Sequence, residues 1–316
     1  MKLYQLQSKK LKQIPIQSFK LEKDIQNLVE DNLESLFDLE LVKSELKVQN
    51  FRLDTLCFDP STNAFVIIEY KKTSSYSVID QGYTYLSLLL NNKADFILEY
   101  NERLNKNLKR DQVDWSQSRI LFISPKFSAY QKHSINFKNV PFELWEITRF
   151  NNNTIGLNLL ETDSEVDINT ATNDILSNNP VKEVSKEIVK YDEDFHLTKN
   201  KNRPEEIVEL YYYLKERILS LDENIELKFK KQTIGVKQYR TFADLIIYNK
   251  RIGVVLNMKK GELKDYKGLT EDISEKGHWG NGDYRIWIKT TDEADYAMEL
   301  VKQSFMSQRT FFVDHG

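Results

Sequence analysis

RLDTLCFDPSTNAFVIIEYK, residues Arg52–Lys71, is the stretch that decides how the chain is read. Two strands, Arg52–Phe58 and Phe65–Lys71, flank Asp59-Pro60-Ser61-Thr62-Asn63, which supplies turn residues. Phe65-Val66-Ile67-Ile68 is an uninterrupted apolar run, the pattern of a strand covered on both faces. It stops abruptly at Glu69-Tyr70-Lys71. Side chains two apart on a strand share a face, so Glu69 and Lys71 project together and Tyr70 projects opposite. If the neighbouring strand pairs across the turn, Asp54 lies beside them.

Two carboxylates with a backbone carbonyl and waters suit a hard divalent cation such as Mg²⁺. A metal-bound water beside a lysine loses a proton readily and can be aimed at phosphorus. In this reading Asp54 and Glu69 are metal ligands, Tyr70 adds its carbonyl, and Lys71 positions or activates the nucleophile. The same residues also fit a surface hairpin closed by a Glu–Lys ion pair, since D-x(n)-E-x-K arises often by chance. The position at the end of a buried apolar strand brings the metal reading level with the hairpin one.

The chain has 316 residues, 40% of them hydrophobic, a size that favours two domains with real cores. No window approaches the roughly 18 consecutive apolar residues of a membrane span. The N-terminal residues lack the apolar core of a signal peptide, so a cytoplasmic protein without membrane contact is expected. Cys57 is the single cysteine, which excludes an internal disulfide and a cysteine zinc cluster. The four histidines are scattered, without metal-ligand spacing. A net charge of −3 means that nucleic-acid binding must come from a local patch.

Outward from the central hairpin, residues 10–20 read as a basic arm or edge strand. An amphipathic helix is expected over Glu22–Phe37, with Glu22 at its positively polarised start. A first strand is expected over Leu39–Val48. Beyond Lys71, a helix is expected over Val78–Asn91, on which Gln81 and Tyr85 share a face one turn apart. Gln81 reaches the metal water or a phosphate if the first turn stands over Glu69; otherwise it faces solvent. Strands are expected over Asp95–Tyr100, Arg119–Ser124, Pro141–Thr148 and Thr154–Leu160, with a helix over Phe127–Ile135. This is an α/β alternation. Lys126, after Ser124-Pro125, fits either a phosphate contact or a plain turn.

Taken in order, these motifs resemble the PD-(D/E)XK nuclease superfamily. The likeness runs through Glu22-x-Asp24, Asn32-Leu33-Glu34-x-Leu36-Phe37, Glu45, Leu53-Asp54-Thr55, Ile68-Glu69-Tyr70-Lys71-Lys72 and Gln81-Gly82-x-x-Tyr85. Within that superfamily it is nearest to NucS/RecB-like nuclease domains, over roughly residues 18–160. The resemblance implies a restriction-endonuclease-like fold, α/β, with a mixed central sheet flanked by helices. It implies a Mg²⁺- or Mn²⁺-dependent endodeoxyribonuclease, in DNA repair or in defence against foreign DNA. It places the catalytic roles on Asp54, Glu69 and Lys71, with Gln81 as the accessory glutamine and Glu22 as the acid of the first helix. Lys72 and Tyr85 are then expected to touch DNA. Leu53 stands where the motif's name has proline. A homodimer is among the expected assemblies. The competing expectation is a protein that binds nucleic acid or another protein through a degenerate nuclease core without cutting.

The division expected is residues 1–162 for the nuclease-like domain, 163–202 for a linker and 203–316 for a small α+β accessory domain. The linker is rich in Asp, Asn, Ser and Thr, then alternates Lys with Glu. In the second domain a helix is expected over Pro204–Leu219, strands over Ile225–Phe229, Phe242–Tyr248, Arg251–Leu256 and Arg285–Lys289, and a closing helix over Asp292–Ser307. Lys228, Lys230, Lys231, Lys237 and Arg240, interleaved with aromatics, are the expected phosphate-tracking residues; a solvated lysine face fits them equally. His278-Trp279 sits in a glycine-rich loop and suits stacking on a base or anchoring the core. This half resembles a small domain carried under the label "predicted transport protein", also found at the ends of some restriction-system proteins. The matching residues are Lys259–Leu263 and Gly277-His278-Trp279-Gly280-x-Gly282. The sequence offers no membrane segment to support transport.

Overall fold

In a computed structural model, every residue is described except 73–77, 135–140, 161–183, 185–186, 201–202, 277–279 and 314–316. The chain divides into two units, Met1–Val189 and Lys190–Gly316.

The first unit is organised around the strand Ala64–Tyr70 (β5), every residue of which is buried. Before it come the hairpin Leu3–Gln7 (β1) and Lys10–Ile14 (β2), the helices Glu22–Glu30 (α1) and Leu33–Phe37 (α2), and the strands Glu40–Val48 (β3) and Phe51–Asp59 (β4). After it come the helices Val78–Asn91 (α3) and Lys93–Leu104 (α4), the strand Arg119–Ser124 (β6), the helix Ala129–Ser134 (α5), and the strands Phe142–Arg149 (β7) and Ile155–Leu160 (β8). The sheet has the order β3-β4-β5-β6-β7-β8. Its first three strands form an antiparallel meander, β5, β6 and β7 run parallel, and β8 returns antiparallel. This is the expected mixed central sheet flanked by helices. Phe58, Phe65 and Ile67 join residues of α3 and α4 in one core, whereas Cys57, Val66, Ile68 and Tyr70 join residues of α1 and α2 in another. A strand central to a sheet with helices on both faces is apolar throughout because both of its faces are removed from water.

Two elements differ from the expectation. Residues 95–100 belong to helix α4, where Phe96 and Tyr100 are buried one turn apart. A short apolar run does not separate strand from helix, and here the helical spacing prevails. The expected helix over 22–37 is two helices, parted at Asp31-Asn32. The Asn32 side chain donates to the Leu28 carbonyl at 2.8 Å, a local bond that competes with continuation of the helix.

Of the expected linker, residues 163–183 lie outside the described residues. Val184 and Ile188 are buried in the core of the first unit. Glu193–Thr198 (α6) belongs to the second unit, where the buried His196 donates through Nε2 to the Lys230 carbonyl at 2.6 Å.

The second unit continues with the helix Glu205–Leu219 (α7) and the strands Glu226–Phe229 (β9), Ile234–Lys237 (β10), Thr241–Ile247 (β11), Ile252–Leu256 (β12), Thr270–Asp272 (β13) and Tyr284–Ile288 (β14). It closes with the helix Thr291–Val313 (α8). Its sheet is antiparallel throughout, in the order β13-β14-β12-β11-β10-β9. Two of these strands, β10 and β13, were absent from the sequence reading, and the unit is the small helix-and-sheet domain expected.

The second unit buries an ion pair on its sheet. Asp244 is fully buried and accepts from Lys230 Nζ at 3.1 Å, Thr233 Oγ1 at 2.9 Å and the Asn281 amide at 3.0 Å. Lys230→Met would leave that carboxylate without its cation, and we expect a loss of about 3 kcal/mol or more in urea unfolding. A loss below about 1 kcal/mol would show that the pair contributes little.

Candidate active site

The register of the central hairpin brings the acids together. Thr55 pairs with Ile68 in the antiparallel β4–β5 ladder, so the next position sets Asp54 opposite Glu69. Residues directly opposite in such a ladder project to the same face. That face carries helix α3. Gly82 follows Gln81, and a Cβ there would come within 2.7 Å of the Phe142 ring. Glycine therefore lets the helix approach β6 and β7 closely, which lowers Gln81 onto the strand end. Gln81 Nε2 donates to Glu69 Oε1 at 2.6 Å and to the Tyr85 hydroxyl at 2.8 Å. Lys71 Nζ lies 2.7 Å from the same Glu69 oxygen. The Lys71 amide donates to the Ile123 carbonyl at 2.9 Å, extending the parallel pairing by one residue and fixing that lysine.

Asp54 Oδ2 accepts the Tyr70 amide at 3.0 Å. Glu22 Oε2 accepts the Lys72 amide at 2.8 Å, and Lys72 Nζ donates to the Lys20 carbonyl. The start of α1 is thereby tied to the end of β5. Asp54, Glu69, Lys71, Gln81 and Glu22 thus meet at one place.

The electrostatics of this cluster are strained. Burial, then the neighbouring Asp54, pushes the Glu69 carboxyl up to about 7, against the pull of Lys71 and Gln81. Burial also raises Asp54 above the ordinary carboxylate range, partly offset by the Tyr70 amide and Lys71. Glu69 Oε1 takes both of its donors, while Glu69 Oε2 is buried with no hydrogen-bond partner. An acceptor left bare in that way carries a desolvation cost of about 1–3 kcal/mol or more. A divalent cation is one group that would satisfy it. Among the described residues, no three acidic, histidine or cysteine side chains stand close enough to form a ligand set alone. Two carboxylates completed by the Tyr70 carbonyl and water is the arrangement Mg²⁺ tolerates well.

Two expected DNA contacts are corrected. Tyr85 is buried, and its hydroxyl receives Gln81 and donates to the Arg52 carbonyl at 3.1 Å, so it holds the glutamine in place. Burial raises that phenol to about 12, which keeps it a neutral hydrogen-bonding group. Lys230 is buried against Asp244, out of reach of a phosphate. Of the remaining stripe, Lys228 and Lys231 are exposed while Lys237 and Arg240 are half-buried. Lys72 is exposed at the strand end. Residues 277–279, with His278 and Trp279, lie outside the described residues.

A supporting network beneath the site was not foreseen. Gln26, buried on α1, donates to the Asp54 carbonyl at 3.0 Å and to Glu30 at 2.9 Å. Thr55 Oγ1 bridges Glu30 at 2.5 Å and the Tyr70 hydroxyl at 3.2 Å. The one-turn spacing of Gln26 and Glu30 on a helix packed over the sheet was the available signal.

Comparison with known proteins adds a relative across nearly the whole length. An uncharacterised protein of Haemophilus influenzae is 45% identical over 306 residues, covering 96% of this chain and 99% of the relative. The chain belongs to that protein's family. Residues 196–308 match the family model DUF5655, a domain of unknown function. Among solved structures, an EndoMS–dsDNA complex is 15% identical with a TM-score of 0.29, covering 41% of this chain and 47% of that one. A repair endonuclease from Pyrococcus abyssi is 14% identical with a TM-score of 0.24, covering 40% and 48%. The chain spans about half the length of both structures, and their TM-scores are too low to carry weight.

The raised Glu69 carboxyl sets a direction for stability. Between the unfolded carboxylate value and about 7, the native state keeps a proton that the unfolded chain releases. In metal-free buffer the melting temperature should therefore fall as pH rises from about 5 to about 7. Glu69→Gln should flatten that fall in a calorimetric series, and an unchanged slope in the variant would contradict the assignment.

Proposed function

We propose that the first unit is a divalent-metal-dependent DNA endonuclease of the PD-(D/E)XK type. The observation that carries the reading is the convergence of Asp54, Glu69, Lys71 and Gln81, with Glu69 Oε2 buried and bare. Asp54, Glu69 and the Tyr70 carbonyl would hold Mg²⁺ or Mn²⁺, which when bound supplies an acidified water and offsets charge on the phosphate oxygens. The ordered motifs from Glu22 to Tyr85 favour DNA as the ester cleaved.

The chain's own groups divide the remaining work. The Tyr70 amide fixes Asp54, and Gln26 fixes the backbone of that residue from the opposite face. Lys71 sets a cation beside both acids, where it can hold the attacking water and favour its deprotonation. Gln81, steadied by Tyr85, keeps Glu69 in one orientation. Glu22 clamps the first helix to the strand end and adds a further negative charge near Asp54. The second unit is assigned the selection of substrate or partner, without a catalytic residue.

Cleavage with Mg²⁺ or Mn²⁺ should be measured on single-stranded, flapped, mismatched and modified DNA. Asp54→Ala and Lys71→Ala should each lower the rate by about a hundredfold or more. Gln81→Ala should lower it by about 10–100-fold. Cutting that survives both Asp54→Ala and Lys71→Ala would remove the assigned site. A second readout is independent of turnover: millimolar Mn²⁺ should raise the melting temperature of the wild type and not of Asp54→Asn.

A further inference from the structure

We propose that the β1–β2 hairpin is a basic ribbon that enters a groove of duplex DNA; this rests on the nuclease reading of the same unit. Its strands pair from Leu3–Ile14 to Gln7–Lys10 around a two-residue turn, where Ser8 takes a left-handed backbone (φ 57°). Apart from Leu3 and Ile14 at its base, every residue of both strands is exposed. An isolated two-stranded hairpin is marginal in water, so a ribbon bare on both faces is an element that wants a partner. Its base is nonetheless firmly seated. Ile16 bridges to the buried Phe150, the Gln17 amide donates to the Arg149 carbonyl at 2.8 Å, and the Asn151 amide donates to the Pro15 carbonyl at 3.0 Å.

Charge selects the partner. Residues 1–21 contain five lysines and no Asp or Glu, in a chain whose net charge is −3. Lys9, Lys10 and Lys12 make no ion pair among the described residues. Opposed residues share a face, so Gln5, Gln7, Lys10 and Lys12 line one side of the ribbon and Tyr4, Leu6, Leu11 and Gln13 the other. Gln and Lys are donors suited to base edges and phosphates, and a two-stranded ribbon fits the DNA major groove, about 12 Å wide.

Position ties the ribbon to the site. β5, β6 and β7 run parallel, with Glu69 beside Phe122 and Phe122 beside Leu144, so their C-terminal ends lie at one end of the sheet. The hairpin is anchored at Arg149, five residues beyond Leu144 in the direction that leads past Glu69, about 16 Å further along. From the hairpin the chain returns directly to the site, where the Lys20 carbonyl accepts from Lys72 and Glu22 opens α1. A duplex held by the ribbon is therefore gripped at the same end of the sheet as the bare carboxylate.

The test is binding of the full-length chain to a fluorescent duplex of about three helical turns in EDTA, by anisotropy over a salt series. Lys9→Gln/Lys10→Gln/Lys12→Gln should lower the magnitude of the slope of log K against log salt by about 2.7, about 0.9 per lysine, with an unchanged melting temperature. The corresponding Lys→Arg variant should keep the wild-type slope. An unchanged slope in the glutamine variant, or no affinity of the wild type for duplex, overturns the proposal. So does a Leu6→Ser/Leu11→Ser variant that breaks a homodimer in light scattering while duplex binding stays intact, because the face then belongs to a second copy. The two readings fail separately. Cleavage with a salt slope indifferent to the lysines removes the ribbon alone, whereas lysine-dependent binding without cleavage by any metal removes the nuclease alone.

Discussion

Two carboxylates held opposite each other at the end of a buried strand form the constraint on which the rest of this unit depends. Asp54 and Glu69 share a face because the β4–β5 register allows no other arrangement. Moving either strand by one residue would turn its acid to the other side of the sheet. The register is secured by the apolar run from Ala64 to Ile68, buried between two helical layers. Hydrophobic burial, roughly 25 cal/mol per Å² of apolar surface, is what holds like charges where they would not stay by themselves. The strand core supplies the energy that keeps both acids at the strand end.

Each layer then contributes one restraint. α3 closes on the sheet because Gly82 has no side chain to strike Phe142, and that approach delivers Gln81 to Glu69. α1 works from the opposite face, where Gln26 holds the Asp54 carbonyl and Glu22 holds the Lys72 amide. On that same face Thr55 joins Glu30 to the Tyr70 hydroxyl. A loosened helix on either face would therefore change the geometry of the acids without touching them, the usual dependence of an active site on its supporting shell.

The parts legible in the sequence were those encoded by short-range pattern. The run Phe65–Ile68 announces a doubly covered strand, the Asp59–Asn63 turn pairs it with its neighbour, and the spacing of Gln81 and Tyr85 puts both on one face of a helix. What escaped depends on partners distant in the chain. Residues 95–100 have the composition of a strand, and only their contact with Phe65 and Phe58 from outside the segment shows that the buried positions recur at helical spacing. Lys230 looks like one more surface lysine until β11 brings Asp244 against it. Gln26 reads as a polar residue on an exposed face, yet it is buried because the Asp54 carbonyl waits beneath it. Charge and polarity in a sequence say which groups need partners, and the fold decides where those partners are.

The two buried acid–lysine clusters of this chain make the same point about function. Asp244 has a cation, a hydroxyl and an amide on its two oxygens, so nothing further is needed there and the cluster locks strands and loop together. Glu69 has a cation and an amide crowded onto one oxygen, while the other is buried and receives no donor. Residue types and burial are alike; saturation is not. A buried charge whose hydrogen-bonding capacity is filled belongs to the scaffold, because any ligand would have to displace bonds already made. A buried charge left short, beside another of the same sign, gains from the arrival of a cation. By that criterion the cluster at the end of β5 has room for a ligand and the one in the second unit does not, even though both halves place lysine against aspartate or glutamate on a sheet.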